Sequence, residues 1–98
     1  MDKRNGPIIW DVLYPDSWKK QVKALPHHTQ KKLLSFMKKI ILERDPTLAA
    51  TFKKGTKYGH VYVVRLSDSH RLAYTVNYNT KTITIMRVGN HKQVYGKD

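Results

Sequence analysis

From His60 to Val88 the chain alternates in short runs, HVYVVRL, HRLAYTVNY and TITIMRV, set apart by the polar spacers SDS and NTK. Runs of this length, rich in Val, Ile, Thr and Tyr and joined by short polar turns, predict an antiparallel three-stranded meander. With the first turn over Leu66 to His70 and a tight second turn at Asn79-Thr80, Tyr62, Val64 and Leu66 fall beside Leu72, Tyr74 and Val76, and beside Ile83 and Ile85. That is one apolar face. The other face then holds Val61, Val63, Arg65, Arg71, Ala73, Thr75, Thr84 and Met86, with Arg65 and Arg71 directly across the ladder from each other. Like charges opposed on a ladder repel, so this pair points to an anion held between them; two solvated surface arginines are the plainer alternative.

Charge supports the anionic partner. Nineteen Lys and Arg against seven Asp and Glu leave a formal net charge of +12 on 98 residues. An excess this large favours nucleic acid or another polyanion, because each neutralised phosphate releases condensed counterions. No apolar run approaches the ~20 residues that span a bilayer, and the one strongly basic helix needs its apolar stripe for the core, so no membrane partner is expected. The start, MDKRNGPIIW, has no long apolar region and reads as no secretory signal, which makes a reducing, cytoplasmic setting the simplest expectation. Cysteine is absent, which excludes disulfides and thiolate metal sites.

The length suits one domain with one modest core over residues 1–98, residues 1–7 being a loose arm and 96–98 a loose tail. IIWDVLY, residues 8–14, is a strand bounded by Pro7 and Pro15, with Trp10, Val12 and Tyr14 on one face. Asp16 is placed to cap a short helix carrying Trp18, Val22 and Leu25, which Pro26 stops. Thr29 or His28 then caps a longer helix to about Arg44, with Leu33, Leu34, Met37, Ile40 and Ile41 at helical spacing. Lys31, Lys32, Lys38 and Lys39 sit largely outside that stripe, where a solvated polar face explains them as well as nucleic acid does. Both tryptophans fall on apolar stripes and read as core rather than as stacking platforms for bases. The expected class is α+β, strand, helical hairpin and meander (β-α-α-β-β-β), with the helices on one sheet face and the other face free to bind.

Residues 46–59, PTLAATFKKGTKYG, read as a basic loop that brings Lys53, Lys54 and Lys57 near the open face. A mobile, merely solvated loop accounts for it equally well. After the meander, Gly89-Asn90 can turn the chain so that a short extension carries His91 and Tyr95 back across the sheet end bearing Arg71 and Arg87. Histidine exchanges protons near neutrality and a phenol among cations can accept one, so both are candidates for acid–base work.

The element order, together with RLSDSHRLAYTV and VGNHKQVY, resembles the RelE/ParE superfamily of bacterial and archaeal toxin–antitoxin toxins, on its RelE-like side, over residues 8 to 95. The resemblance implies a ribosome-dependent endoribonuclease that cuts mRNA and is neutralised by a cognate acidic antitoxin in a hetero-oligomer. It implies attack of a ribose 2′-OH on the adjacent phosphate with neither metal nor cofactor. By motif, Arg71 would stabilise the phosphate, Tyr95 would orient or deprotonate the 2′-OH, His91 would act as the acid, and Arg65 matches an often-basic position on the preceding strand. Lys53, Lys54, Lys57, Arg87 and Lys92 would line the RNA path. One departure stands out: well-studied RelE-type enzymes carry lysines on the strand before Arg-Leu-x-Tyr, whereas here it reads Val61-Tyr62-Val63-Val64. Two alternatives follow, a ParE-like toxin that inhibits DNA gyrase through protein contacts without cutting RNA, and an RNA-binding module without chemistry.

Overall fold

The structure, a computed structural model, describes residues 8–96; the arm at 1–7 and the last two residues of the tail lie outside the described residues. The elements are β1 (Asp11–Leu13), α1 (Trp18–Lys23), α2 (His27–Ile40), β2 (Thr51–Thr56), β3 (Gly59–Arg65), β4 (His70–Asn77), β5 (Thr82–Asn90) and α3 (His91–Tyr95). The strands form one sheet in the order β1-β5-β4-β3-β2, with β1 parallel to β5 and every other pair antiparallel. The α+β class and the order strand, helical hairpin, meander are therefore as expected. Among the described residues no helix is long and apolar enough to cross a membrane.

The meander has the expected register. Tyr62 pairs with Tyr74, Val64 with Leu72, Arg65 with Arg71 and Val76 with Ile83. Its second turn is wider than Asn79-Thr80: residues 78–81 make it, the Asn77 side-chain oxygen accepts from the N–H groups of Asn79 and Thr80, and Lys81 has a φ of +56°. The helix-facing side buries Leu72, Tyr74, Ile83, Ile85 and Val88 against Trp10, Leu25, Leu33, Met37 and Ile40. Trp10 donates its indole N–H to the carbonyl of Glu43 at 2.6 Å, so the ring is core with its polar atom satisfied.

The helix boundaries differ from the expectation. Ser17, not Asp16, occupies the α1 N-cap, and its side chain is taken by the Gln21 amide at 2.7 Å. Gln21 is buried, and its carbonyl oxygen accepts from the N–H of Val88 at 3.0 Å; β1 pairs only with Thr82–Thr84, so further along β5 a side chain replaces the missing strand. Pro26 is the N-cap of α2, and Thr29 is buried within the first turn. The helix ends at Ile40 rather than Arg44 because the Ile41 carbonyl turns aside to accept from Ile9 and Trp10. Leu34 falls off the buried stripe and is 58 % exposed.

Residues 46–59 are not a loop throughout. Thr51–Thr56 is edge strand β2, pairing Phe52 with Tyr62 and Lys53 with Val61, with an irregularity between Lys53 and Thr56. Nor is the face opposite α1 and α2 wholly open: His91–Tyr95 is a helix, not an extension, and it covers a second small core of Val61, Val63, Ala73 and Val94 flanked by Tyr58, Met86 and Tyr95. Asn90 caps α3 by accepting from Gln93 N, while the Gln93 side chain accepts from Asn90 N. Gly96, expected in the loose tail, is the left-handed C-cap at φ +73°, donates to the Lys92 carbonyl and packs on Lys57.

Candidate active site

α3 sets the geometry. His91 and Tyr95 stand four residues apart, so they share one helix face, and their ring centroids lie 4.1 Å apart at 53°. The β4–β5 ladder places His70 opposite Asn90 and Arg71 opposite Gly89, bringing the strand end that carries Arg71 to the start of α3. From the other side, β2 brings the Lys53 ammonium to 6.0 Å from the centre of the Tyr95 ring, and the Lys57 N–H donates to the Tyr95 carbonyl at 3.1 Å. The candidate acid–base pair thus has an ammonium from β2 over the Tyr95 ring, and its helix starts beside the strand end that carries Arg71.

Arg71 is half-buried and anchored by the β3–β4 turn: its Nη1 donates to the carbonyls of Ser67 at 2.7 Å, His70 at 3.1 Å and Asp68 at 3.4 Å. A guanidinium has five donor hydrogens, and Nη2 and Nε of Arg71 have no partner among the described residues. The turn thereby fixes the orientation of a cation whose remaining edge can receive a phosphate in two-point fashion.

The other candidates separate. Arg65 pairs in register with Arg71, but its side chain is bound to the Asp68 carboxylate three residues on. Arg87 reaches the α3 face through a β-bulge. Simple alternation would send it inward with Ile83 and Ile85, but the register slips between Ala73 and Tyr74, so Arg87 stands opposite Ala73 while Ile85 stands opposite Tyr74. Its Nε is buried without a partner among the described residues. Lys57 has its ammonium 5.8 Å from the Tyr58 ring centre and serves the site through its backbone. Lys54 is exposed on the edge strand, and Lys92, exposed on α3, lends its carbonyl to the C-cap. Among the described residues no group of three or more His, Asp or Glu side chains could hold a metal ion.

The chain and its fold have known counterparts. The family model for the ParE toxin of the type II toxin–antitoxin system, parDE, matches residues 12–95. The chain belongs to this family. It is a toxin of a type II toxin–antitoxin system, within the RelE/ParE superfamily. No curated protein matches it. Among solved structures, the toxin is similar to the archaeal RelE–RelB complex of Pyrococcus horikoshii, at 27 % identity and a TM-score of 0.65 over 84 % of this chain and 94 % of that one. The RelB–RelE complex of Methanococcus jannaschii follows the same fold at 23 % identity and a TM-score of 0.63, covering 83 % of this chain and 92 % of that one. A mutant of the Escherichia coli toxin RelE in the free state does so at 17 % and 0.66, with 87 % and 86 % covered.

Two features of the toxin's site escape the sequence reading. Asp68, the counterion of Arg65, sits in the polar SDS spacer, where nothing in the pattern marks one aspartate as a partner. The α3 cap does have a signal: Asn90 followed three residues later by Gln93 is a capping pair, and it turns an extension into a helix.

Proposed function

We propose that this toxin is a metal-independent endoribonuclease that cuts mRNA on the ribosome. The observation that carries the reading is the contact of His91 with Tyr95 on the face of α3, which starts beside the strand end of Arg71: two ring side chains able to exchange protons, packed together at such a place, are more than polyanion binding requires. In the reaction, the ribose 2′-OH attacks the adjacent phosphorus. The 2′-O–P bond forms as the P–O5′ bond breaks, giving a 2′,3′-cyclic phosphate and a free 5′-OH. Tyr95 orients the 2′-OH or takes its proton, His91 gives a proton to the leaving 5′-oxygen, and Arg71 meets the negative charge that gathers on the phosphoryl oxygens. Preorganised cations of this kind are worth roughly 3–4 kcal/mol in the transition state, and acid–base groups add ~10²–10⁴-fold. Lys53 and Arg87 line the approach. An acidic antitoxin that covers this face neutralises both charge and site.

Cell-free translation with primer extension on a reporter mRNA tests the reading. Cuts that need ribosomes and vanish in Arg71→Ala and Tyr95→Phe support it. Intact mRNA with the wild-type toxin refutes it. The alternative, a toxin acting on DNA gyrase through protein contacts, is favoured by one observation: the strand expected to carry lysines in RelE-type enzymes reads here Val61-Tyr62-Val63-Val64, with Val61 and Val63 buried. Inhibition of gyrase supercoiling by a toxin that leaves mRNA whole would select it.

A further inference from the structure

A cavity of about 590 Å³ opens between the first turns of α2 and the β3–β4 turn, and no residue of α3 lines it. His28 and Lys32 of α2 face Arg65, Ser67, Asp68 and His70 across it. Every ionisable group there is cationic or can become so, except Asp68, which is bound to Arg65 and is 91 % exposed. The side chains of Lys32 and His28 have no hydrogen-bond or ion-pair partner among the described residues. The Ser67 hydroxyl meets His70 Nδ1 at 3.1 Å, which fixes the imidazole and leaves its other nitrogen to the cavity. A concave wall with an ammonium, a guanidinium and two imidazoles, and one exposed carboxylate against them, is chemically a receptor for an oxyanion.

We propose that this cavity is a second phosphate site, which takes a backbone phosphate of the RNA strand next to, but distinct from, the one that is cut. It rests on the reading of RNA as the substrate. What selects RNA over an acidic peptide is continuity with Arg71. The carbonyls of Ser67 and Asp68 that hold Arg71 Nη1 belong to residues that wall the cavity, and Arg65 is the cross-strand partner of Arg71. One turn therefore presents Arg71 on one side and the cavity on the other, and a strand seated with one phosphate on Arg71 runs over the turn into the cavity. There its phosphate displaces Asp68 from Arg65 and gains Lys32.

Fluorescence anisotropy with a 2′-O-methyl RNA oligonucleotide, which the toxin can bind but not cut, tests the site apart from the chemistry. Lys32 is exposed on α2, so Lys32→Ala leaves the fold intact, and Lys20→Ala on α1 is the control of equal charge. One lost phosphate contact lowers the log–log salt slope by roughly 0.7 on a single strand. Lys32→Ala is expected to do this and to raise Kd about 3–10-fold in low salt, while Lys20→Ala leaves the slope in place. Neutral methylphosphonates placed one at a time should find one position, other than the scissile one, whose loss costs the wild type as much as Lys32→Ala does. At that position the variant should lose nothing more. Losses that add at every position, or a Lys32→Ala no different from Lys20→Ala, overturn the site. So does an acidic peptide whose binding needs Lys32 when RNA binding does not. Cleavage measured in parallel separates the claims: cutting without coupling at Lys32 overturns the cavity alone, and coupling without cutting sustains the cavity while refuting the nuclease.

Discussion

Val94→Ala tests how the His91–Tyr95 pair is held in place. α3 has five residues, far fewer than a helix needs to persist in water, so the sheet must hold it. Val94 supplies most of that hold, being fully buried against Val61, Val63 and Ala73. Truncation to Ala deletes two buried methyl groups; at ~0.8 kcal/mol each plus a small residual cavity, the loss is about 2 kcal/mol. These contacts exist only while α3 is docked, so the loss falls on the docking equilibrium itself and makes opening roughly 25-fold more frequent. Amide hydrogen exchange reads this at two N–H groups whose bonds report docking, Lys57 to the Tyr95 carbonyl and Gly96 to the Lys92 carbonyl. Both should exchange roughly 25-fold faster in the variant. Leu34→Ala, at a residue 58 % exposed, should change them little. Unchanged protection of Lys57 and Gly96 in Val94→Ala would refute the argument that this side chain fastens the helix.

The capping pair gives a second test. A Cβ on Gly89 would collide with the Gln93 side chain just where it reaches back to the Asn90 N–H. Gly89→Ala and Gln93→Ala should each cost about 1 kcal/mol in urea unfolding, and the double variant little more than either, because both remove the same bond. Tyr74 offers a pH test: burial, with the nearby Asp45 and Glu43 charges added, raises its phenol well above the ordinary tyrosine value, and its hydroxyl donates to the Pro46 carbonyl at 2.6 Å. Because the folded form holds its proton more tightly than the unfolded chain, this contribution is complete below about pH 10 and is lost as pH rises toward the folded value. Urea midpoints between pH 8 and 11.5 should fall less steeply for Tyr74→Phe than for the wild type; equal slopes would refute the assignment.

What the sequence discloses here tracks what burial dictates. The pairing of Arg65 with Arg71 and the core placement of Trp10 are legible because a period of two with short turns leaves little choice of register when one face is buried. β2 is invisible for the converse reason. Its residues up to Gly55 are all exposed, Phe52 is its only large apolar side chain, and Gly55 breaks the run, so a strand held chiefly by backbone bonds leaves no apolar alternation to read. Arg87 shows a different limit, since a bulge shifts the facing of every later residue and no residue in Ile85-Met86-Arg87 announces it. Within the site, register puts Arg65 across from Arg71, but an aspartate three residues on decides where the guanidinium goes.

The parallel pairing of β1 with β5 orders the assembly of the chain in time. Val12 meets Ile83 across about seventy residues, and contacts of such separation form late because the intervening loop must close before they are rewarded. During synthesis β1 emerges first yet has no strand to join until β5 has followed it. The helix that carries His91 and Tyr95 comes directly after β5, so the closing of that sheet edge and the arrival of those two side chains belong to the same stretch of translation. A toxin chain broken off before Thr82 has neither.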